Sequence, residues 1–336
     1  MIGPMLHDSF SRKFSYLRLS LTEVCNFKCR YCLPGGYDKH SGSNRETAEL
    51  NLSEIEYLLK GVARAGFKKL RLTGGEPTLR RDLPRILSLA SSLGSFEQIA
   101  LSTNGWNLAR SARSFFEAGL SQVNVSVDSL DSARFHALAG RSEKEDLLNT
   151  ILAGIEECLS LGFKKVKINS VLHADTAQLE LERFLDYIKL RPVTVRFIEL
   201  MRTRSRPEYR DHNFVSAGSL RLGLLSRGFE QVPRSEFDGP AIVYRHPDFI
   251  GSIGLISPYS EGFCESCNRL RVTSQGNLRL CLFGEEEFSL RPYLQDDKGS
   301  RQIPRVLSQL LVQKPQTHLL QSGRSGLIQS FSQVGG

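Results

Sequence analysis

The sequence predicts an α/β protein: an incomplete (βα)6 TIM-like barrel followed by a smaller α+β region. Two observations predict it. From residue 16 to about residue 200, short apolar strands alternate with amphipathic helical stretches. That alternation means a parallel sheet covered by helices on its outside. Polar residues also gather where strands end: Thr73-Gly74-Gly75-Glu76-Pro77, Ser102-Thr103-Asn104-Gly105, Ser126-Val127-Asp128 and Glu199-Leu200-Met201. Barrels of this kind bind ligands at the C-terminal ends of their strands. After Met201 the alternation stops, so residues 1–201 and 202–336 are expected to form separate regions.

Each element has its own signal. Strands are expected at residues 16–22, 69–73, 98–102, 122–127, 165–172 and 193–199. A helix should begin at Ser53, where Glu56 completes a capping box. Further helices should cover 82–93, 108–118, 145–161 and 176–190. Residues 202–213 are polar and basic and read as a loop. A helix at 217–227, β-leaning segments at 242–245 and 249–256, and a late helix at 303–312 complete the pattern.

Composition narrows the class. At 40% hydrophobic and 24% charged residues, the chain reads as a globular protein rather than a disordered or membrane one. No apolar run approaches the ~20 residues of a membrane span, and the first residues lack the apolar core of a secretion signal. The expected location is the cytoplasm, without membrane association. The net charge of +8 is spread along the chain. It fits a polyanionic ligand, nucleic acid or nucleoside triphosphate, and charge alone does not separate these.

Six of the seven cysteines fall into two triplets. Cys25, Cys29 and Cys32 form C-x3-C-x2-C directly after the first strand; Cys264, Cys267 and Cys281 form C-x2-C-x13-C. In a cytosolic chain such sets point to metal or catalytic use rather than disulfides. Each triplet is one ligand short of a tetrahedral structural zinc site. On an iron–sulfur cluster, three thiolates leave one iron open. Zinc with a fourth ligand, such as His40 for the first set, is the alternative. Cys158, in a helical apolar pattern, reads as a small buried hydrophobe.

The residues between the first cysteines carry a resemblance. Cys25-Asn26-Phe27-Lys28-Cys29-Arg30-Tyr31-Cys32 fits C-x3-C-x-aromatic-C, the motif of the radical S-adenosylmethionine (SAM) superfamily. The resemblance implies a barrel of the radical SAM type and a 4Fe–4S cluster whose open iron binds SAM. Tyr31, Gly74, Gly75, Glu76, Ser126 and Met201 match cofactor-binding positions, with Glu76 available to the SAM ammonium group.

The second triplet is more specific. Phe263-Cys264-Glu265-Ser266-Cys267-Asn268-Arg269-Leu270-Arg271 runs on to Gly276-Asn277-Leu278-Arg279-Leu280-Cys281. This resembles the GTP 3′,8-cyclase family of radical SAM enzymes (molybdenum cofactor biosynthesis protein A). Asp8-Ser9-Phe10-Ser11-Arg12-Lys13, Phe197-Ile198-Glu199-Leu200-Met201 and the terminal Gly335-Gly336 agree. The resemblance implies a second 4Fe–4S cluster whose open iron takes the guanine of GTP. It makes Arg18, Arg71, Ser102, Thr103, Lys167, Arg269, Leu270 and Arg271 substrate-binding. It also implies a Gly335-Gly336 tail that enters the active site and is needed for turnover.

The implied reaction starts with one-electron cleavage of SAM. The 5′-deoxyadenosyl radical takes the ribose 3′ hydrogen of GTP, and the sugar carbon attacks carbon 8 of guanine. The product goes to cyclic pyranopterin monophosphate synthase, and electrons come from an external donor. The resemblance allows a homodimer and involves no nucleic acid. The alternative is a radical SAM peptide- or RNA-modifying enzyme with an auxiliary cluster. One departure stands out: Thr22-Glu23-Val24 replaces the family's usual Thr-Asp-Arg.

Overall fold

The computed structural model describes residues 6–37, 49–235 and 238–335. His40 and Gly336, singled out from the sequence, lie outside them. A short hairpin, β1 (Leu6–His7) and β2 (Lys13–Phe14), precedes the main sheet. Six strands then run parallel, each beside the next: β3 (Tyr16–Ser20), β4 (Lys69–Thr73), β5 (Gln98–Thr103), β6 (Gln122–Ser126), β7 (Lys165–Val171) and β8 (Val193–Ile198). Their bounds match expectation within two residues at each end.

The helices α1 (Leu52–Arg64), α2 (Leu83–Ser92), α3 (Leu108–Glu117), α4 (Ser132–Ala139), α5 (Leu147–Ser160) and α6 (Ala177–Lys189) intervene between these strands. The cap of α1 falls two residues before the expected one. Asn51 accepts from the Glu54 amide while the Glu54 carboxylate accepts from the Asn51 amide. Both frames carry the capping pattern. In the observed one Glu54 also pairs with Arg291 at 2.8 Å.

The chain beyond β8 extends both edges of the same sheet. After α7 (Pro207–Asn213), α8 (Gly218–Ser226), β9 (Glu230–Gln231) and β10 (Ile242–Arg245), strand β11 (Ser252–Ile256) pairs parallel with β8. Strand β12 (Arg269–Val272) pairs parallel with β3 on the opposite side. The antiparallel strands β13 (Asn277–Arg279) and β14 (Phe288–Ser289), with β10 and β9, finish the two edges. The sheet therefore stays open, as a partial barrel. Helices α9 (Asp297–Ser300) and α10 (Ile303–Leu311) pack back on α1.

Residues 207–213 were expected to be loop and are helical because Pro207 starts a turn. Helix α7 buries no residue, so no apolar stripe announces it. Along β3, Leu17 and Leu19 join the hydrophobic core under the helices, while Tyr16 and Arg18 line the inner cavity. Each fully buried leucine of that core is worth roughly 1.5–3 kcal/mol.

A second, smaller core forms from Phe283, Leu320, Ile328, Phe331 and Val334. Cys32, Cys281 and Met201 pack against it. The last residues are thus anchored between the two cysteine triplets.

Candidate active site

Two adjoining cavities line the inner face of the sheet. The upper one, at the C-terminal strand ends, holds about 160 Å³. Cys25, Cys29 and Cys32 all line it, with Tyr31, Gly74, Gly75, Ser102, Thr103, Ser126 and Met201 around them. The middle one, of about 110 Å³, lies one or two residues down each strand and is lined by Cys264, Cys267 and Cys281. Asn169, Ile198 and Met201 line both cavities.

The first cysteine loop is held by main chain. Lys28 and Arg30 amides donate to the carbonyls of Ala139 and Leu138 at the end of α4. The next residue, Gly140, has φ +63°, and a Cβ there would meet the Lys28 carbonyl oxygen at 2.7 Å. Tyr31 donates to Asp128 at 2.8 Å. The Gly74-Gly75 pair serves this loop directly. A Cβ on Gly74 would meet the Thr22 oxygen at 2.3 Å, and one on Gly75 the Val24 oxygen at 2.2 Å. These glycines let two backbones touch while both line the upper cavity. Val24 takes part through its carbonyl, which accepts from the Glu76 amide at 2.8 Å.

Glu76 follows these glycines and is tied into the turn. Its carboxylate does not line the cavity and is fully buried. It accepts from Thr103 Oγ1 at 2.7 Å, the Asn104 amide at 2.6 Å and Thr78 Oγ1 at 2.6 Å. Burial pushes it up, and those hydrogen bonds pull it back only in part. These bonds tie Glu76 to the turn after β5.

The middle cavity is the most charged interior in the molecule. Arg18, Arg71, Lys167, Arg269 and Arg271, named from the sequence, all line it. Lys69, Arg196 and Lys314, which sequence reasoning missed, join them. No aspartate or glutamate lines it among the described residues. Strand register sets the geometry: Arg271 lies beside Arg18, and Arg18 beside Arg71, across β12, β3 and β4. Like charges abreast on neighbouring strands are destabilising, and burying them costs more still.

Burial is the main cause of the shifts that follow. It pushes Lys167 down to about 6, with Arg196 and Arg71 adding to it. Lys69 falls to about 8 through burial, against the pull of Tyr16. Arg196 falls to about 9 through burial and Arg71. Tyr16 is raised by burial but taken well below its usual range by Arg71, Arg18 and Lys69. Its hydroxyl oxygen accepts from Arg71 Nε at 2.5 Å. Arg71 also donates to Ser102 Oγ at 3.2 Å, joining the two cavities.

Leu270 lies in the hydrophobic core, on the opposite face of β12 from Arg269 and Arg271. Gly335 reaches the upper cavity. Its carbonyl accepts from Arg18 at 2.8 Å and from Arg271 at 3.0 Å. Its φ is +62°, and a Cβ would meet Thr73 Oγ1 at 2.0 Å, so only glycine fits.

The second triplet is anchored from both chain ends. Buried Arg12 pairs with Asp8 and donates to the carbonyls of Cys264 at 3.1 Å and Gln316 at 2.7 Å. His318 packs on Phe263 and Phe283 beside it.

Each triplet offers three thiols around one cavity, which fits a 4Fe–4S cluster with an open iron.

Residues 19–188 match the model of the Radical SAM superfamily, and the chain belongs to that superfamily. Residues 193–320 match the model described as Molybdenum Cofactor Synthesis C. This pairing is the one typical of the GTP 3′,8-cyclase family, and the two domains together support a role in molybdenum cofactor synthesis. The fold is similar to the FeFe-hydrogenase maturase HydG from Carboxydothermus hydrogenoformans, at 18% identity over 56% of this chain and 46% of that one, with a TM-score of 0.44. It is similar to native anSMEcpe with bound AdoMet at 18% identity over 54% and 51%, with a TM-score of 0.42. It is also similar to coproporphyrinogen III oxidase (HemN) from Escherichia coli at 15% identity over 65% and 54%, with a TM-score of 0.44. The chain spans about half the length of the solved structures it matches. The radical SAM fold implies a 4Fe–4S cluster and SAM. Among the described residues no helix is long and apolar enough to cross a membrane.

Proposed function

We propose that this chain cyclises GTP to (8S)-3′,8-cyclo-7,8-dihydroguanosine 5′-triphosphate, as a radical SAM lyase that begins molybdenum cofactor biosynthesis. The observation that carries this reading is the middle cavity. Three arginines stand abreast, no described carboxylate lines the space, and three thiols border it. A buried array of that kind calls for a polyanion.

Cys25, Cys29 and Cys32 would hold the first cluster, with Tyr31, Gly74, Gly75, Ser126 and Met201 around SAM. Cys264, Cys267 and Cys281 would hold the second, which would bind the guanine. When bound, the first cluster and SAM supply the one-electron chemistry that removes the ribose 3′ hydrogen.

The chain's own residues bind, orient and shield. Arg18, Arg71, Lys167, Arg269 and Arg271 hold the triphosphate, with Lys69 and Arg196 added to the set. Ser102 and Thr103 sit above Arg71, where the ribose would span from the middle to the upper cavity. The Gly335 carbonyl orients Arg18 and Arg271, and Phe331 and Val334 exclude water above them. Gly336 follows Gly335 in the sequence, and the pair serves turnover. The regions 1–201 and 202–336 then divide the work, the first serving SAM and the second completing the GTP chamber. The product passes to cyclic pyranopterin monophosphate synthase, and an external donor supplies electrons.

Anaerobic incubation of reconstituted protein with GTP, SAM and a reductant tests this. The expected result is GTP-dependent 5′-deoxyadenosine together with the cyclised nucleotide. Formation of 5′-deoxyadenosine with no cyclised nucleotide would overturn the substrate assignment.

A further inference from the structure

A third cavity lies below the other two, at the N-terminal strand ends, and holds about 440 Å³. Its walls carry Lys164, Lys165, Lys167, Arg196, Arg234 and Arg245 against a single described carboxylate, Asp238. Lys165, Arg234 and Arg245 are exposed, so the cavity has a basic, solvent-facing rim.

This cavity adjoins the site, sharing Lys167 and Arg196 with the middle cavity. On β7, Lys165 lines the lowest cavity, Lys167 the lowest and middle, Asn169 the middle and upper, and Val171 the upper. On β8 the same descent runs through Thr194, Arg196 and Ile198. Residues two apart on a strand face the same side, so the three cavities lie in line along one face of the sheet. Lys167 and Arg196 form the partition between the lowest and middle cavities. Arg196 is 8% exposed and its Nε has no hydrogen-bond partner. Gly254 leaves room for it, since a Cβ there would meet Arg196 Cγ at 2.9 Å.

The upper way into the middle cavity is filled by the chain itself. Gly335 sits on Arg18 and Arg271, and Phe331 and Ser332 line the space above. The lower way is crossed by a polar latch: Arg234 donates to Ser266 Oγ, between Cys264 and Cys267, at 2.5 Å, and to the Gly239 carbonyl at 2.7 Å.

From this geometry we infer that the lowest cavity is a basic vestibule through which the nucleoside triphosphate reaches the middle cavity, independently of the SAM cavity at the other end of the strands. The inference rests on the triphosphate reading above. A cleft lined by one sign of charge focuses counter-charged ligands and raises their association rate by roughly 10- to 1000-fold. Lys167 and Arg196 then act as the inner gateposts, taking the leading phosphate from Lys165 and passing it to Arg71.

Stopped-flow binding of a fluorescent N-methylanthraniloyl derivative of GTP to reconstituted protein tests the route. In the double variant Lys165→Glu/Arg245→Glu, the association rate should fall about ten-fold at low salt and approach the unmodified protein's at high salt. Iron content and SAM binding should not change, which checks the fold. Arg30→Glu, a charge reversal in the first cysteine loop, should leave the nucleotide association rate unaltered. A rate unchanged in the double variant, or lowered only by Arg30→Glu, overturns the inference. If the unmodified protein binds no nucleotide analogue, the substrate reading fails separately. Inorganic tripolyphosphate then decides the vestibule: it should slow acetylation of Lys165 and Lys167, and unchanged labelling of both overturns the proposal.

Discussion

The two cysteine triplets offer equal numbers of thiols in opposite electrostatic settings. Around the first, burial dominates. It pushes Cys25 up to about 12 and raises Cys29 and Cys32 as well. Around the second, burial also raises Cys267, but Arg269 and Lys314 reverse it and leave the thiol at about 6. Against its burial Cys264 is lowered too, through His318, whereas burial raises Cys281 despite Lys314. The first loop is positioned by backbone contacts with Thr22–Val24 neighbours and α4; the second by charged side chains, Arg12 above all. Similar donor sets thus have different surroundings, a largely uncharged cavity above and a cationic one below, which is the basis for proposing different ligands.

The comparison can be broken most severely at the cysteines. Cys29→Ala should remove one cluster, about four irons per chain, and abolish SAM cleavage. Cys281→Ala should remove a similar amount of iron yet keep SAM binding. Iron analysis with SAM titration separates the two, and loss of SAM binding in both variants would contradict the division of roles.

Next come the cations. Arg271→Ala removes one charge-assisted contact, worth roughly 1.5–3 kcal/mol. GTP affinity should fall about 10- to 100-fold with SAM affinity unchanged, measured by calorimetry. Gly335→Ala should be of similar or smaller size. The new methyl meets Thr73 at 2.0 Å and the φ of +62° is unfavourable for alanine. GTP-dependent turnover should drop about ten-fold, while iron content stays, since Gly335 holds no cluster.

The smallest effect is a proton. Lys167, at about 6 in the ligand-free protein, is mostly neutral at pH 7.5. A bound triphosphate favours its charged form and raises its pKa. Binding should therefore take up protons between pH 6 and the higher pKa of the complex, and affinity should fall as pH rises through that window. Calorimetry in buffers of different ionisation enthalpy reads the uptake directly. Proton release would contradict it.

Much of this was legible in the sequence because alternation encodes both faces of a strand. Arg18 and Arg71 sit between leucines, so inward placement followed once the strands were recognised. Lys69 and Arg196 obey the same rule: one stands two residues before Arg71, the other between Val195 and Phe197. They were legible in principle and passed over because no motif marks them. The edge strands β10 and β11 were legible as the β-leaning segments at 242–245 and 249–256, whereas the contacts of Arg12 and Lys314 and the edge strands β12 to β14 were not. Their partners lie far away in the chain, and only the closed fold brings Arg12 to Cys264. The hydrogen bonds that Glu76 accepts from Thr78, Thr103 and Asn104 were not legible either, since they join segments up to 28 residues apart.

The central claim is that the two triplets hold clusters with different open-iron ligands. It is tested most directly by electron paramagnetic resonance of the reduced protein carrying only one triplet. In Cys25→Ser/Cys29→Ser/Cys32→Ser protein, GTP should shift the remaining cluster's signal and SAM should not. In Cys264→Ser/Cys267→Ser/Cys281→Ser protein, SAM should shift the signal and GTP should not. Signals that respond to the same ligand in both variants, or no signal from the second triplet, would contradict the account.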